Sequence, residues 1–156
     1  MRAIIYRGCS GAGKTREAVA WRNDYLAKII SADSFFSRSP YGKYHFKPEL
    51  LPDAHQWCLR AWIESCKEQL DIIVCDNTNI LIAELAPYVA VAQAYGYQTE
   101  IITIAVDPVK AHARNLHQTP IHEITSQAKL LALETERFPP WWKHAVIDEP
   151  LPKAPE

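Results

Sequence analysis

Apolar residues fall into two spacings along the chain. Ala3-Ile4-Ile5-Tyr6, Ile29-Ile30, Ile72-Ile73-Val74-Cys75 and the stretch 101–106 are near-continuous apolar runs of strand length. Between them apolar residues recur every three or four positions, as in Ala54, Trp57, Cys58, Ala61, Trp62 and Cys66. The runs predict strands at 3–6, 29–31, 72–75 and 101–106, with a short fifth at 145–147. The periodic stretches predict helices at 17–26, from Asp53 onward, at 84–95, near 108–115 and at 120–136. Asp53 with Gln56 three residues on has the pattern of a capping box. Gly96 reads as a helix stop, and Pro87 suits a first turn better than a helix middle. Asp107-Pro108 and Thr119-Pro120 each read as an N-cap followed by proline at the first helical position. Residues 34–50 read as irregular.

Strands alternating with helices predict an α/β domain, a mostly parallel sheet with helices on both faces. Such sheets bind ligands beyond the carboxyl ends of their strands. One domain over 1–149 is expected, followed by a loose tail at 150–156 with three prolines.

Composition narrows the function classes. The 156 residues carry a net charge of −1, so no global basic field draws in nucleic acid, and a polyanion site must be local. Cys9, Cys58, Cys66 and Cys75 form no C-x-x-C pair, which argues against a disulfide framework or a zinc site. A reducing, cytoplasmic setting is expected, with no membrane span and no obligate protein partner evident. His112, His117 and His122 recur every five residues, a spacing that does not share one helical face, so a metal cluster is not expected there.

The first strand runs into GCSGAGKT, residues 8–15. The spacing G-x-x-x-x-G-K-[ST] between a strand and a helix is that of a phosphate-binding P-loop. Gly8, Cys9, Ser10, Gly11, Ala12 and Gly13 supply backbone N–H groups that can curl around a phosphate, and the following helix start adds partial positive charge. Lys14 is placed to reach terminal phosphates and the Thr15 hydroxyl to join a magnesium shell. A nucleoside triphosphate, ATP or GTP, with Mg2+ is the expected ligand.

Two carboxylates follow strands. Asp33 comes after the second and is the candidate general base for an acceptor hydroxyl, expected beside the P-loop strand; the alternative is a turn cap. Asp76 ends IIVC and resembles a Walker-B carboxylate, or caps the turn Asn77-Thr78-Asn79. In SFFSRSPYGKYHFKP, residues 34–48, Arg38, Lys43 and Lys47 are interleaved with Phe35, Tyr41 and Tyr44, and no acid interrupts them. Cations and stacking rings suit a nucleotide or single strand, or else a loop pinned by aromatic packing. Arg114 lies between the two late helices, where a lid cation for phosphoryl transfer, or a surface arginine, would sit. Trp141 and Trp142 read as an anchor for the tail.

GCSGAGKT, SADSFF, YGKYHFKPELLPDAHQW, DNTN, PYVAVAQAYGY and RNLHQTP occur in the order found in a family of small P-loop kinases. The chain resembles polynucleotide-kinase-type domains, especially the Nedd-four-binding-protein-two-like branch, from residue 3 to about 135. The resemblance implies a three-layer P-loop fold with a helical lid. It implies general-base chemistry at Asp33 on a 5′-hydroxyl, phosphate contact at Lys14, magnesium contact at Thr15, a lid role for Arg114, and a nucleotide-site carboxylate at Asp76. The phage polynucleotide kinase carries an acid, an arginine and a second lid arginine where this chain has Ser34, Phe36 and Gln118. The expected activity is transfer of a γ-phosphate to a hydroxyl, first on a nucleic-acid end. A small-molecule kinase (acting on a nucleoside, sugar nucleotide or antibiotic) and a non-catalytic NTP-binding switch or adaptor are the alternatives.

Overall fold

The structure is a computed structural model that describes residues 1–37 and 44–148. Five strands, β1 (Arg2–Arg7), β2 (Lys28–Ile30), β3 (Ile72–Asp76), β4 (Gln98–Ala105) and β5 (His144–Asp148), form one parallel sheet. The order is β2-β3-β1-β4-β5. Ile5 of β1 sits level with Cys75 on one side and Ile101 on the other.

This order corrects one expectation. β2 pairs with β3 and not with β1, so Asp33 follows the strand two places from the P-loop strand, and Asp76 ends the immediate neighbour. The reason lies in burial. Ile73-Val74-Cys75 is fully buried and suits an interior strand, whereas the three-residue β2 begins with exposed Lys28 and suits an edge.

Alternation along β1 builds a core on each face of the sheet. Ala3 and Ile5 join Ile73, Cys75 and Ile101 beneath α3 (Leu51–Lys67) and α4 (Ile82–Ala94). Ile4 and Tyr6 join Val74, Ile102 and Ile104 beneath α1 (Lys14–Tyr25), α5 (Pro108–Ala113) and α6 (Ile121–Thr135). Trp62 of α3 is wholly buried, and its indole N–H donates to the Tyr88 carbonyl of α4 at 3.0 Å, locking the two helices together.

Helix ends show which local signals prevailed. Asp107 caps α5 as expected, accepting from the N–H groups of Val109 and Lys110 at 2.9 and 3.2 Å. Gly96, at φ +80°, ends α4 as expected. α3 instead starts at Leu51 with proline in its first turn, so Asp53 sits inside that turn and does not cap it. Pro87 falls inside α4, where it leaves the Ala83 carbonyl without its helical donor. α6 begins one residue later than expected, with Pro120 in the cap position. Residues expected to be irregular include α2 (Ala32–Phe36) and a 3-10 turn at Pro48–Leu50, both too short to show a period. Trp142 packs on Phe138, while Trp141 is exposed; the tail and residue 149 lie outside the described residues. Among the described residues no helix is long and apolar enough to cross a membrane.

Candidate active site

The P-loop joins β1 to α1 at the carboxyl edge of the sheet. Gly11 and Gly13 take φ of +79° and +99°, conformations that most side chains disfavour. Lys14 is buried, and its ammonium donates to the carbonyls of Gly8 and Cys9, both at 3.0 Å. Burial holds this ammonium below its ordinary range, with Asp76 the leading opposing charge.

Asp76 is buried beside it, and the Thr15 hydroxyl donates to its carboxylate. Burial pushes the Asp76 carboxyl up, against the pull of Thr15 and then Lys14. Behind this pair the loop 77–80 is held by Arg7, which is wholly buried. Arg7 donates to the carbonyls of Asn79 and Ile80 at 3.1 and 2.7 Å and to the Thr135 hydroxyl of α6 at 2.7 Å. Its guanidinium carbon lies 4.7 Å from the ring centroid of Phe138. Burial pushes Arg7 down to about 10, with Glu134 and Glu84 acting the other way. Asn79 Nδ2 returns a bond to the Tyr6 carbonyl, so strand end, loop and late helix form one unit.

Asp33 sits in the first turn of α2. The cap is Ser31, whose hydroxyl accepts the Asp33 N–H at 3.3 Å, so the Asp33 carboxylate is not needed for capping. Asn77 Oδ1 accepts the Ala32 N–H at 2.8 Å and ties this turn to the end of β3. Tyr44 donates its hydroxyl to Asp33 Oδ1 at 3.2 Å. His117 Nε2 stands 3.4 Å from Asp33 Oδ2.

Arg114 caps the end of α5, and its Nε–H donates to the Gly11 carbonyl at 2.9 Å, which brings the guanidinium over the P-loop. Gln127 of α6 accepts the Ser10 N–H at 2.8 Å. The P-loop, Asp33, Asp76 and Arg114 therefore border one cleft of about 820 Å³, which Tyr44, Phe46, Leu51 and His55 also line. That volume is within the range of small-molecule sites, about 300–1,000 Å³.

Two residues of the aromatic–basic segment sit elsewhere. Phe35 packs against Phe36 and Trp57 rather than lining the cleft, and exposed Lys47 precedes the 3-10 turn outside it. Arg38, Tyr41 and Lys43 lie outside the described residues. Sequence reasoning missed Arg7, Asn77, His117 and Gln127. In the sequence His117 shows only a five-residue histidine spacing and a place in RNLHQTP, and the others gain their partners across 45 to 128 positions of chain.

A central P-loop strand, two strand-end carboxylates and an arginine reaching over the loop define a P-loop domain with a kinase-like fold. A family described as "AAA domain" (AAA_33) matches residues 4–138, and the chain belongs to this family. The motifs from GCSGAGKT to RNLHQTP all lie within the matched span. Human NEDD4-binding protein 2 is 32% identical over 96 residues, which is 61% of this chain and 5% of that protein. This chain thus corresponds to a small part of that relative. A chain of the Pnkp1/Rnl/Hen1 RNA repair complex superposes with a TM-score of 0.71 at 19% identity, over 98% of this chain and 48% of that one. Deoxyadenosine kinase from M. mycoides superposes with a TM-score of 0.56 at 13% identity, over 94% of this chain and 90% of that one. At these identities the two structures speak for the fold.

Proposed function

We propose that the chain is a phosphotransferase that moves the γ-phosphate of ATP to a hydroxyl, with a nucleic-acid 5′-hydroxyl end as the first acceptor class. The observation that carries this reading is the arrangement of Asp33, Lys14 and Arg114 around one cleft. Phosphoryl transfer asks a protein chiefly for positioning and charge neutralisation. Asp33 accepts the proton of the acceptor hydroxyl as its oxygen bonds to phosphorus and the bond to the β–γ bridging oxygen breaks. Lys14 and Arg114 face the charge that grows on that bridge. The P-loop amides of Cys9, Gly11 and Gly13 hold the phosphates, since Gly8 N–H is given to the Thr78 carbonyl, Ser10 N–H to Gln127 and Ala12 N–H to the Cys9 carbonyl.

Thr15 and Asp76 offer hard oxygen donors next to a buried ammonium, a set that fits Mg2+ together with phosphate oxygens. The metal would neutralise phosphate charge there. Among the described residues no three His, Cys, Asp or Glu gather as a metal-binding group, so phosphate oxygens and water would complete its shell.

The nucleic-acid reading draws support from the family motifs and from the likeness to a chain of an RNA repair complex. A nucleoside-sized acceptor is the second reading. It is favoured by the deoxyadenosine kinase superposition, which covers nearly the whole of both chains. The test is transfer from γ-labelled ATP across 5′-hydroxyl DNA, 5′-hydroxyl RNA and a nucleoside panel. Labelled oligonucleotide is the expected product. Labelled nucleotide alone would replace the first reading with the second. ATP binding without transfer to any acceptor would leave a nucleotide-binding switch.

A further inference from the structure

Both oxygens of the candidate base already have partners, and the partners come from different parts of the chain. Oδ1 accepts the Tyr44 hydroxyl at 3.2 Å, and Oδ2 faces His117 Nε2 at 3.4 Å. The two partner rings also pack on each other, with centroids 4.6 Å apart and planes inclined at 35°. Tyr44 is braced from behind by Phe36, whose buried ring meets it edge-on at 6.1 Å and meets Phe46 at 5.1 Å. Burial, followed by the charge and hydrogen bond of Asp33, pushes the Tyr44 phenol up to about 12, so it remains a donor at neutral pH.

His117 belongs to the turn between α5 and α6. Its N–H donates to Asn115 Oδ1 at 3.0 Å, and the next residue, Gln118, takes φ +56°. Three residues earlier, Arg114 rests on the Gly11 carbonyl. One short turn therefore touches the P-loop with Arg114 and the candidate base with His117. We propose that Tyr44 and His117 are positioning residues for Asp33: Tyr44 fixes the carboxylate through Oδ1, and His117 ties Oδ2 to the lid and yields that oxygen to the acceptor hydroxyl.

This rests on the kinase reading for its consequence in turnover, but the contact itself can be tested without turnover. A hydroxyl bound to Oδ2 then meets a base held in place by Tyr44, on the side opposite the hydroxyl's approach. The arrangement sets the arginine of the lid and the carboxylate of the base from the same turn, so donor and acceptor ends close together.

The test combines kinetics and NMR. Tyr44→Phe keeps the ring and removes only the hydroxyl. It is expected to lower kcat roughly tenfold or more while leaving the KM for ATP and for the acceptor nearly unchanged. His117→Gln, which keeps a donor, should retain more of kcat than His117→Phe, which keeps only the packing. The His117 ring resonances should shift in Asp33→Asn and in Tyr44→Phe, whatever the acceptor. Wild-type kcat in both Tyr44→Phe and His117→Phe would overturn the proposal, as would ring resonances indifferent to Asp33→Asn. If instead Tyr44→Phe is silent and Tyr44→Ala raises only acceptor KM, Tyr44 is a stacking surface and the proposal is wrong. Shifted resonances in a protein that phosphorylates nothing would support the contact and overturn the kinase reading alone.

Discussion

Asp76 and Lys14 bring opposite charges into one buried corner, and both carry a burial penalty there. For Asp76 that penalty exceeds the help from Thr15 and Lys14, because its carboxyl is raised above the ordinary range. A raised acid stabilises the fold below its unfolded pKa, and that contribution is lost as pH rises through the folded value. Asp76→Asn should therefore melt higher than the wild type at neutral pH, with the gap closing as the pH falls below the carboxylate range. The same variant should lose most magnesium-dependent nucleotide affinity, the usual exchange of stability for function. Melting curves at two pH values and an ATP titration with and without magnesium check both halves. An Asn variant that melts lower at neutral pH would mean that Asp76 and Lys14 act mainly as a stabilising pair.

The residues that sequence could read are those whose job follows from chain position. The P-loop glycines, Lys14, Asp33 and Asp76 each follow a strand, and strand ends in a parallel sheet converge. His117 and Gln127 are illegible by that rule. Each sits on the late helical part of the chain and meets its partner only when that part folds back across the carboxyl edge of the sheet.

At the scale of elements, the contact between α5 and the P-loop decides how α5 sits. A Cβ built on Gly11 would lie 2.1 Å from the Ala111 carbonyl oxygen and 3.2 Å from the Asn115 Cβ. The obstacle at 2.1 Å is backbone, so it cannot swing aside. Gly11 also has φ +79°, a conformation that costs a non-glycine residue roughly 1–2 kcal/mol. Gly11→Ala should push α5 off the loop. The expected result is a lower melting temperature and an ATP affinity weakened roughly tenfold or more. A variant that binds ATP normally would show that α5 need not touch Gly11.

The far end of α6 is tied by Glu134. Its carboxylate accepts the Ile82 N–H at 2.8 Å, at the start of α4, and pairs with Arg137 at 2.9 Å. The Ile82 hydrogen bond is the leading cause that holds this carboxyl below its ordinary range. A lowered acid contributes stability above its unfolded pKa, and that stability is lost as pH falls through the folded value. Glu134→Gln should thus be less stable than wild type near pH 7, and the two should converge in acid. Parallel melting curves throughout the pH range would refute this contact's role. Element signals in the sequence were strongest for long periodic stretches such as α3 and weakest for α2, whose five residues cannot establish a period. Pro87 misled because proline's local preference was overridden by packing: Leu85, Tyr88 and Val89 on either side of it are core residues.

For the whole molecule, fold class was legible because apolar runs and periodic stretches alternate. Strand order was not, because a crossover pattern along the chain does not say which neighbour a short edge strand will choose. The order matters for function: it sets β3 between β1 and β2, so the cleft runs from the P-loop across Asp76 to Asp33. Under the proposed phosphotransferase reading, donor and acceptor ends are then separable by mutation although they share one cavity. ATP at about 100 times its Kd should stabilise the native state by about 2.7 kcal/mol. For a chain of this size that is a rise of roughly 5–10 °C in melting temperature. Lys14→Ala should abolish the rise. Asp33→Asn should keep it and lose transfer by about 10²–10⁴-fold, the usual contribution of a general base. The acceptor class then shows in salt. A single strand held through two or three phosphates should bind with a log–log salt slope of roughly −0.7 for each, whereas an uncharged nucleoside should be nearly indifferent. The net charge of −1 makes this discriminating, since no global attraction adds to the slope. Asp33→Asn that still transfers at the wild-type rate would remove the base from Asp33. A salt-independent oligonucleotide affinity would place the acceptor's recognition in its terminal nucleoside and not in its backbone.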